Sequence, residues 1–164
     1  MRYIRVFVIL VLAAIVALFL LNYQTDNTQK KVYNDDSFIS QESDSFSYTD
    51  YDQSSEDKAL DLKFGTFYGS DTFYNINVSK EGTATVKYDT AVEKGRFKIV
   101  LISPERKLTT LAEGSGQGSK EVKLVRGKYV IKLVGDNAAG RVRMSVAVGE
   151  GMKVDLEGDS FLAR

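Results

Sequence analysis

From Ala59 to the carboxyl terminus, short runs rich in Val, Ile, Thr, Tyr and Phe alternate with Gly, Asp, Asn and Ser at intervals of about 8–12 residues. No segment in this stretch carries a helical apolar period of useful length, so its fold is confined to β-structure. The spacing predicts strands at Asp61–Phe67, Thr72–Val78, Gly82–Asp89, Gly95–Ile102, Lys107–Ala112, Lys120–Val125, Lys128–Val134 and Arg141–Val148, with Met152–Leu156 as a possible ninth. Lys80-Glu81-Gly82 and Val125-Arg126-Gly127-Lys128 read as hairpin turns in which Gly supplies a positive φ. Connections this short cannot cross over between parallel strands, so the pairing is expected to be antiparallel.

Alternation assigns the faces. Tyr74, Ile76 and Val78 share a side, as do Ala84, Val86 and Tyr88, then Phe97, Ile99 and Leu101, and Tyr129, Ile131 and Leu133. With Val122, Leu124, Val142, Met144, Val146 and Val148, these are the expected core between two sheets. Phe97–Ile102 and Tyr129–Val134 are apolar on their second side too, through Val100, Ile102, Val130 and Val134. A strand with two apolar faces is covered on both. The cover is expected from Leu60, Leu62 or Phe64, from the tail residues Val154, Leu156, Phe161 and Leu162, or from a partner. An open patch would expose Val100 and Val130, with Lys98, Lys132 and Arg143 as a rim that favours an anionic partner.

The other end of the chain has a different character. Val6 to Leu21 is an unbroken apolar run, preceded by Arg2 and Arg5 and followed by Asn22, Tyr23 and Gln24. Its 16 residues would span about 24 Å as a helix, which Tyr3 and Ile4 can lengthen toward a bilayer core of roughly 30 Å. No pair of small residues follows Ala17 to suit signal peptidase, so residues 1–23 are expected to be an uncleaved transmembrane signal anchor. Cleavage, giving a secreted protein, is the alternative. The basic residues before the run place the amino terminus in the cytoplasm and the remainder outside.

Residues 24–58 read as an acidic, disordered linker. Asn22–Asp57 holds nine acids against Lys30 and Lys31, and Phe38, Ile39, Phe46, Tyr48 and Tyr51 follow no sustained period. The stretch could alternatively be a short acidic-aromatic motif that docks on a partner. Residues 59–164 carry 17 basic and 13 acidic side chains, so a zero net charge hides an acidic tether and a mildly basic head.

Three segments of that head resemble the bacterial pre-peptidase C-terminal domain, a small sandwich appended to secreted peptidases and other surface proteins. They are Asp71-Thr72-Phe73-Tyr74-Asn75-Ile76-Asn77-Val78 with Gly82-Thr83-Ala84-Thr85-Val86, then Phe97-Lys98-Ile99-Val100-Leu101-Ile102, then Arg126-Gly127-Lys128-Tyr129-Val130-Ile131-Lys132-Leu133. The likeness spans Thr72–Val148, although Ser103-Pro104-Glu105-Arg106 lacks the family's Asp-Gly turn. It implies a jelly-roll-like sandwich with an accessory, non-catalytic role and no active-site residue.

Composition narrows the chemistry further. With no Cys and no His, thiolate or imidazole catalysis and most zinc sites are excluded. Glu113-Gly114-Ser115-Gly116-Gln117-Gly118-Ser119-Lys120 lacks the Gly-Lys-Ser/Thr order and following helix of a phosphate loop, so it reads as a connection between strands. No regular Asp-rich loop suggests a bound Ca²⁺, and a head of charge +4 is too weakly basic to argue for nucleic acid. The expectation is therefore a membrane-anchored, extracytoplasmic β-sandwich on a bacterial surface, without cofactor, metal or catalytic residues. It would bind an envelope protein or polysaccharide. A carbohydrate-binding module is the alternative, with Tyr68, Tyr33 and Tyr51 as outward rings in a chain that has no Trp.

Overall fold

The computed structural model describes residues 11–18 and 32–157. Residues 11–18 are helical and exposed, while the rest of the expected anchor lies outside the described residues. Among the described residues, no helix is long and apolar enough to cross a membrane.

Residues 45–157 form eight antiparallel strands. They are β1 (Ser45–Thr49), β2 (Asp52–Glu56), β3 (Ala59–Val78), β4 (Gly82–Ile102), β5 (Leu108–Glu113), β6 (Gly116–Leu124), β7 (Gly127–Val148) and β8 (Met152–Leu156). β7 is central and pairs along most of its length with β3 on one side and β4 on the other. Six of the expected short strands are thus halves of three long ones. Their apparent breaks are register shifts at one level: Phe64 to Gly69 in β3, Val92 to Arg96 in β4, and the facing Gly135–Gly140 stretch of β7. Bulges of this kind bend a strand without ending it.

The bend folds the sheet over itself into two layers. In one layer, β2 and β6 flank the first halves of β3 and β4 and the second half of β7. In the other, β8 and β5 flank the opposite halves, while β1 pairs beside the bend at Thr66–Ser70. The main core between them contains the alternating sets expected from sequence, with Tyr88, Val122, Val146 and Val148 only partly buried. A shift between Thr72 and Tyr74 lets the adjacent Phe73 and Tyr74 both point inward. The Tyr74 hydroxyl ties the layers together: it donates toward the Met144 carbonyl at 2.9 Å and accepts from the Leu60 amide at 3.2 Å.

Two connections differ from expectation. Residues 79–81 and 125–126 are not hairpin turns, because β3 does not pair with β4 there and β6 pairs with β4 rather than β7. Both are arches that carry the chain from one layer to the other. Gly114-Ser115 is likewise a crossing between layers, pinned by the Ser115 hydroxyl 2.8 Å from the Val92 amide.

Residues 32–57 differ most from the linker reading. They hold a single helical turn, Asp36–Ile39, followed by β1 and β2 on the edge of β3. Asp35 caps the turn by accepting from the Phe38 amide at 3.1 Å and from the Ser37 hydroxyl. These bonds hold the Asp35 carboxyl below its ordinary pKa.

Candidate functional site

The expected patch lies on the outer face of the β5–β4–β7–β3 layer, and residues 32–44 cover it as a strap. Val32, Tyr33 and Ile39 are buried against Val100, Ile102 and Val134, with Phe38, Leu108 and Val130 packed around them. Neither the residues at Leu60–Phe64 nor Val154 and Leu156 supply this cover, since they pack in the main core, and Phe161 and Leu162 lie outside the described residues. Val100 is completely buried, Lys132 is 1% exposed and Lys98 8%.

The two lysines meet acids of the same chain. Lys132 Nζ lies 2.9 Å from Asp44 Oδ1 and donates to the Gln41 carbonyl at 2.7 Å. Lys98 Nζ stands 4.0 Å from Asp36 and 4.8 Å above the Tyr33 ring, which Arg96 also approaches at 4.3 Å. Cations over a ring face are attracted by its quadrupole, so Tyr33 receives two. Its hydroxyl donates to Glu113 at 2.8 Å. Burial first, then this carboxylate, raise the Tyr33 pKa well above its ordinary value.

Arg143 and Tyr68 are not part of that constellation. Arg143 is exposed on the opposite layer, where its Nε lies 3.2 Å from Asp61, a carboxylate that Arg141 also engages at 2.7 Å. The Arg141 guanidinium first, with Arg143 adding to it, holds the Asp61 pKa down against the opposing effect of burial. Tyr68 sits half-buried beside β1, paired in register with Ser47.

The strap forms one wall of a cleft of about 470 Å³. Ser40, Gln41, Glu42 and Asp44 line that wall, and Ser103, Pro104 and Arg106 of the β4–β5 turn line the other. The floor comes from Thr72 and Asn75 of β3, Ile102 of β4, and Lys128, Val130 and Lys132 of β7, with Glu157 at one end. The three β7 residues fall on one face because a strand alternates sides. The Thr72 hydroxyl donates to Asp44 at 3.0 Å, and the Asn75 amide donates to Glu157. Arg106, Lys128 and Glu42 are exposed at the rim and in no ion pair among the described residues.

Beneath the same end of the strap lies Asp71, buried and accepting from the Tyr48 hydroxyl at 2.9 Å. Burial raises its pKa to about 7, and the nearby Asp44 and Glu157 add to the rise while Tyr48 and Lys132 oppose it. Among the described residues, no group of three or more acids is arranged to hold a metal ion. What the cleft offers is recognition: hydrogen-bonding groups on its walls, an apolar strip on its floor, and charges of both signs.

Sequence reasoning found Lys98, Val100, Val130 and Lys132 as one surface and missed what sits on it. The signal available was complementary. Two double-faced strands with lysines needed an apolar and acidic cover, and the acidic segment with its scattered aromatic residues was the one stretch of that composition.

No family model matches the chain, and no curated protein matches it. Among solved structures, the chain is similar to a family 35 carbohydrate-binding module from Paenibacillus barcinonensis, at 17% identity and a TM-score of 0.40, over 63% of this chain and 93% of that one. It is also similar to a family 6 module from the Cellvibrio mixtus lichenase 5A in complex with cellotriose, at 10% identity and a TM-score of 0.40, over 74% and 95% of the two chains. A family 35 module in complex with a glucuronic acid-containing disaccharide gives 13% identity and a TM-score of 0.38, over 67% and 81%. These matches correct the resemblance drawn from sequence. The neighbours are carbohydrate-binding modules and not a pre-peptidase C-terminal domain, whose loose strand motifs are common to many sandwiches. Likeness this remote does not carry a ligand over to the present chain.

Proposed function

We propose that the chain is a non-catalytic binding module for an envelope polysaccharide, held outside a bacterial membrane by Val6–Leu21. The observation that carries the reading is the cleft beside the strap. A sugar ring presents hydroxyls around its rim and C–H groups on its faces, so its site needs polar side chains encircling an apolar surface. Gln41, Asp44, Thr72 and Lys128 supply donors and acceptors, and Ile102, Pro104 and Val130 supply the surface. The volume falls in the roughly 300–1,000 Å³ range of small-ligand sites and admits a short oligosaccharide. The cleft's own chemistry, not its remote neighbours, supports this reading.

An open patch rimmed by Lys98 and Lys132 and taken by an anionic partner is one of the expectations from sequence. That patch is occupied by residues 32–44, which moves the reading to the polysaccharide alternative.

Calorimetric titration of the full-length protein with neutral, acidic and amino-sugar oligosaccharides tests the proposal. Saturable binding is expected, weakened about tenfold by Lys128→Ala at the rim, which corresponds to roughly 1.4 kcal/mol. No saturable binding to any sugar class would overturn it. For the anchor, the full-length protein is expected in carbonate-washed membranes, and its recovery in the soluble fraction would remove that part.

A further inference from the structure

Residues 32–44 contribute to the cleft and yet are held to the sandwich in an unusual way. Among the described residues, their backbone-to-backbone hydrogen bonds stay within the strap: Asp35 N to Val32 O, Phe38 N and Ile39 N to Asp35 O, Ser40 N to Asp36 O, and Gln41 N to Phe38 O. The Gln41 carbonyl does receive Lys132 Nζ, but that is a side-chain bond. Seating otherwise depends on side chains: Ile39 and Val32 in the apolar face, and Tyr33 beneath Arg96 and Lys98. The strap can therefore lift without breaking a strand ladder, whereas β1 and β2 behind it cannot.

We infer that the strap is a removable wall of the sugar site, so that seating of residues 32–44 and binding of saccharide in the cleft are one coupled equilibrium. The inference rests on the polysaccharide reading and extends it to the control of that site. Gln41, Glu42 and Asp44 leave the cleft when the strap lifts, and only the floor and the opposite wall remain. Lys132 would then face the cleft without its acid, changing both the shape and the charge of the site. A ligand that needs both walls binds the seated state alone, and by linkage it must favour seating. The strap also precedes every strand among the described residues, so a pull on the amino-terminal segment meets it before them.

The test uses the full-length protein, its Ile39→Asp variant and the oligosaccharide that binds the wild type most tightly. Hydrogen exchange is followed for the amides of 35–41 and of β7, alongside calorimetric affinity. In the wild type, saturating oligosaccharide is expected to slow exchange in 35–41 by about tenfold or more. In Ile39→Asp, exchange in 35–41 is expected to become fast while β7 stays protected, with affinity reduced at least about tenfold. Undiminished affinity in a variant whose strap exchanges freely would overturn the inference and leave the polysaccharide reading intact. Should Ile39→Asp lose protection in β7 as well, the wild-type measurement decides: oligosaccharide that binds without slowing exchange in 35–41 overturns the inference. A wild type that binds no sugar overturns both.

Discussion

Lys132 Nζ, in the first half of the central strand, stands 2.9 Å from Asp44 Oδ1 at the end of the strap. The lysine is almost wholly enclosed, and its charge is met by one carboxylate and one carbonyl, both delivered by the segment that covers it. A buried cation whose partners lie on a separate element makes the fold of that element part of its own stability.

Removing one member of such a pair is more damaging than removing both, because the survivor keeps its desolvation penalty. Asp44→Ala is expected to destabilise the domain by about 3 kcal/mol, and the double change Asp44→Ala with Lys132→Met by clearly less. Urea unfolding of the four proteins of this cycle measures the difference. Additive losses would show that the pair is not coupled.

Asp71 gives the stability a pH dependence with a definite sign. Its native pKa, about 7, lies above the ordinary 3.8, so between these values the folded state binds more protons than the unfolded one. Its contribution is fully present below about pH 4 and is lost as pH rises through about 7. The wild type should have a lower urea midpoint at pH 8.5 than at pH 5.5, and Asp71→Asn should reduce that difference. Parallel midpoints in the two proteins across this range would contradict the assignment. Asp61 acts oppositely: its depressed pKa contributes stability above the unfolded value and loses it as acid titrates the native carboxylate.

The parts of the fold that were legible from sequence are those set by alternation. Tyr74, Ile76, Phe97, Ile99, Ile131 and Leu133 are buried where a period of two places them. The long strands were not legible, because Gly69, Gly95, Gly135 and Gly140 look like turn residues and instead mark the level where the sheet folds. Gly95 and Asn137, facing each other there at φ of 71° and 52°, allow the bend without ending a strand. The cleft was hidden for a related reason. Polar composition normally marks a solvated tether, but Val32, Tyr33 and Ile39 bury a small apolar set while Asp36 and Asp44 pair with Lys98 and Lys132. Neither contribution shows in a local window, since the strap's partners lie far away in sequence.

Ser70 is expected to be a site of easy stabilisation. It is fully buried, in register with Ser45 of β1 on one side and Val134 of β7 on the other, and its hydroxyl finds no hydrogen-bond partner among the described residues. An unsatisfied buried hydroxyl costs about 1–3 kcal/mol, while the loss of one oxygen leaves only a small void. Ser70→Ala should therefore gain about 1 kcal/mol in urea unfolding. A loss of stability would indicate that the hydroxyl has a partner in solution.

Gly135 should tolerate no side chain, for a reason specific to the bend. A Cβ there would stand 2.3 Å from Phe67 Cδ1 and 2.8 Å from the Phe67 carbonyl oxygen. The ring cannot simply swing away: it stacks on Tyr48 at 4.4 Å and packs edge-on against Phe64 at 5.9 Å, with Phe97 beyond. Phe67 is itself fully buried, so a displaced ring must push into the main core. Overpacking of this kind costs about 1–3 kcal/mol, and Gly135→Ala is expected at the upper end. Pairing it with Phe67→Leu separates the two contacts. The smaller side chain relieves the ring clash but leaves the carbonyl contact, so the double variant should cost less than the sum of its single changes without matching Phe67→Leu alone. Strict additivity would mean that the two residues do not meet at the fold line.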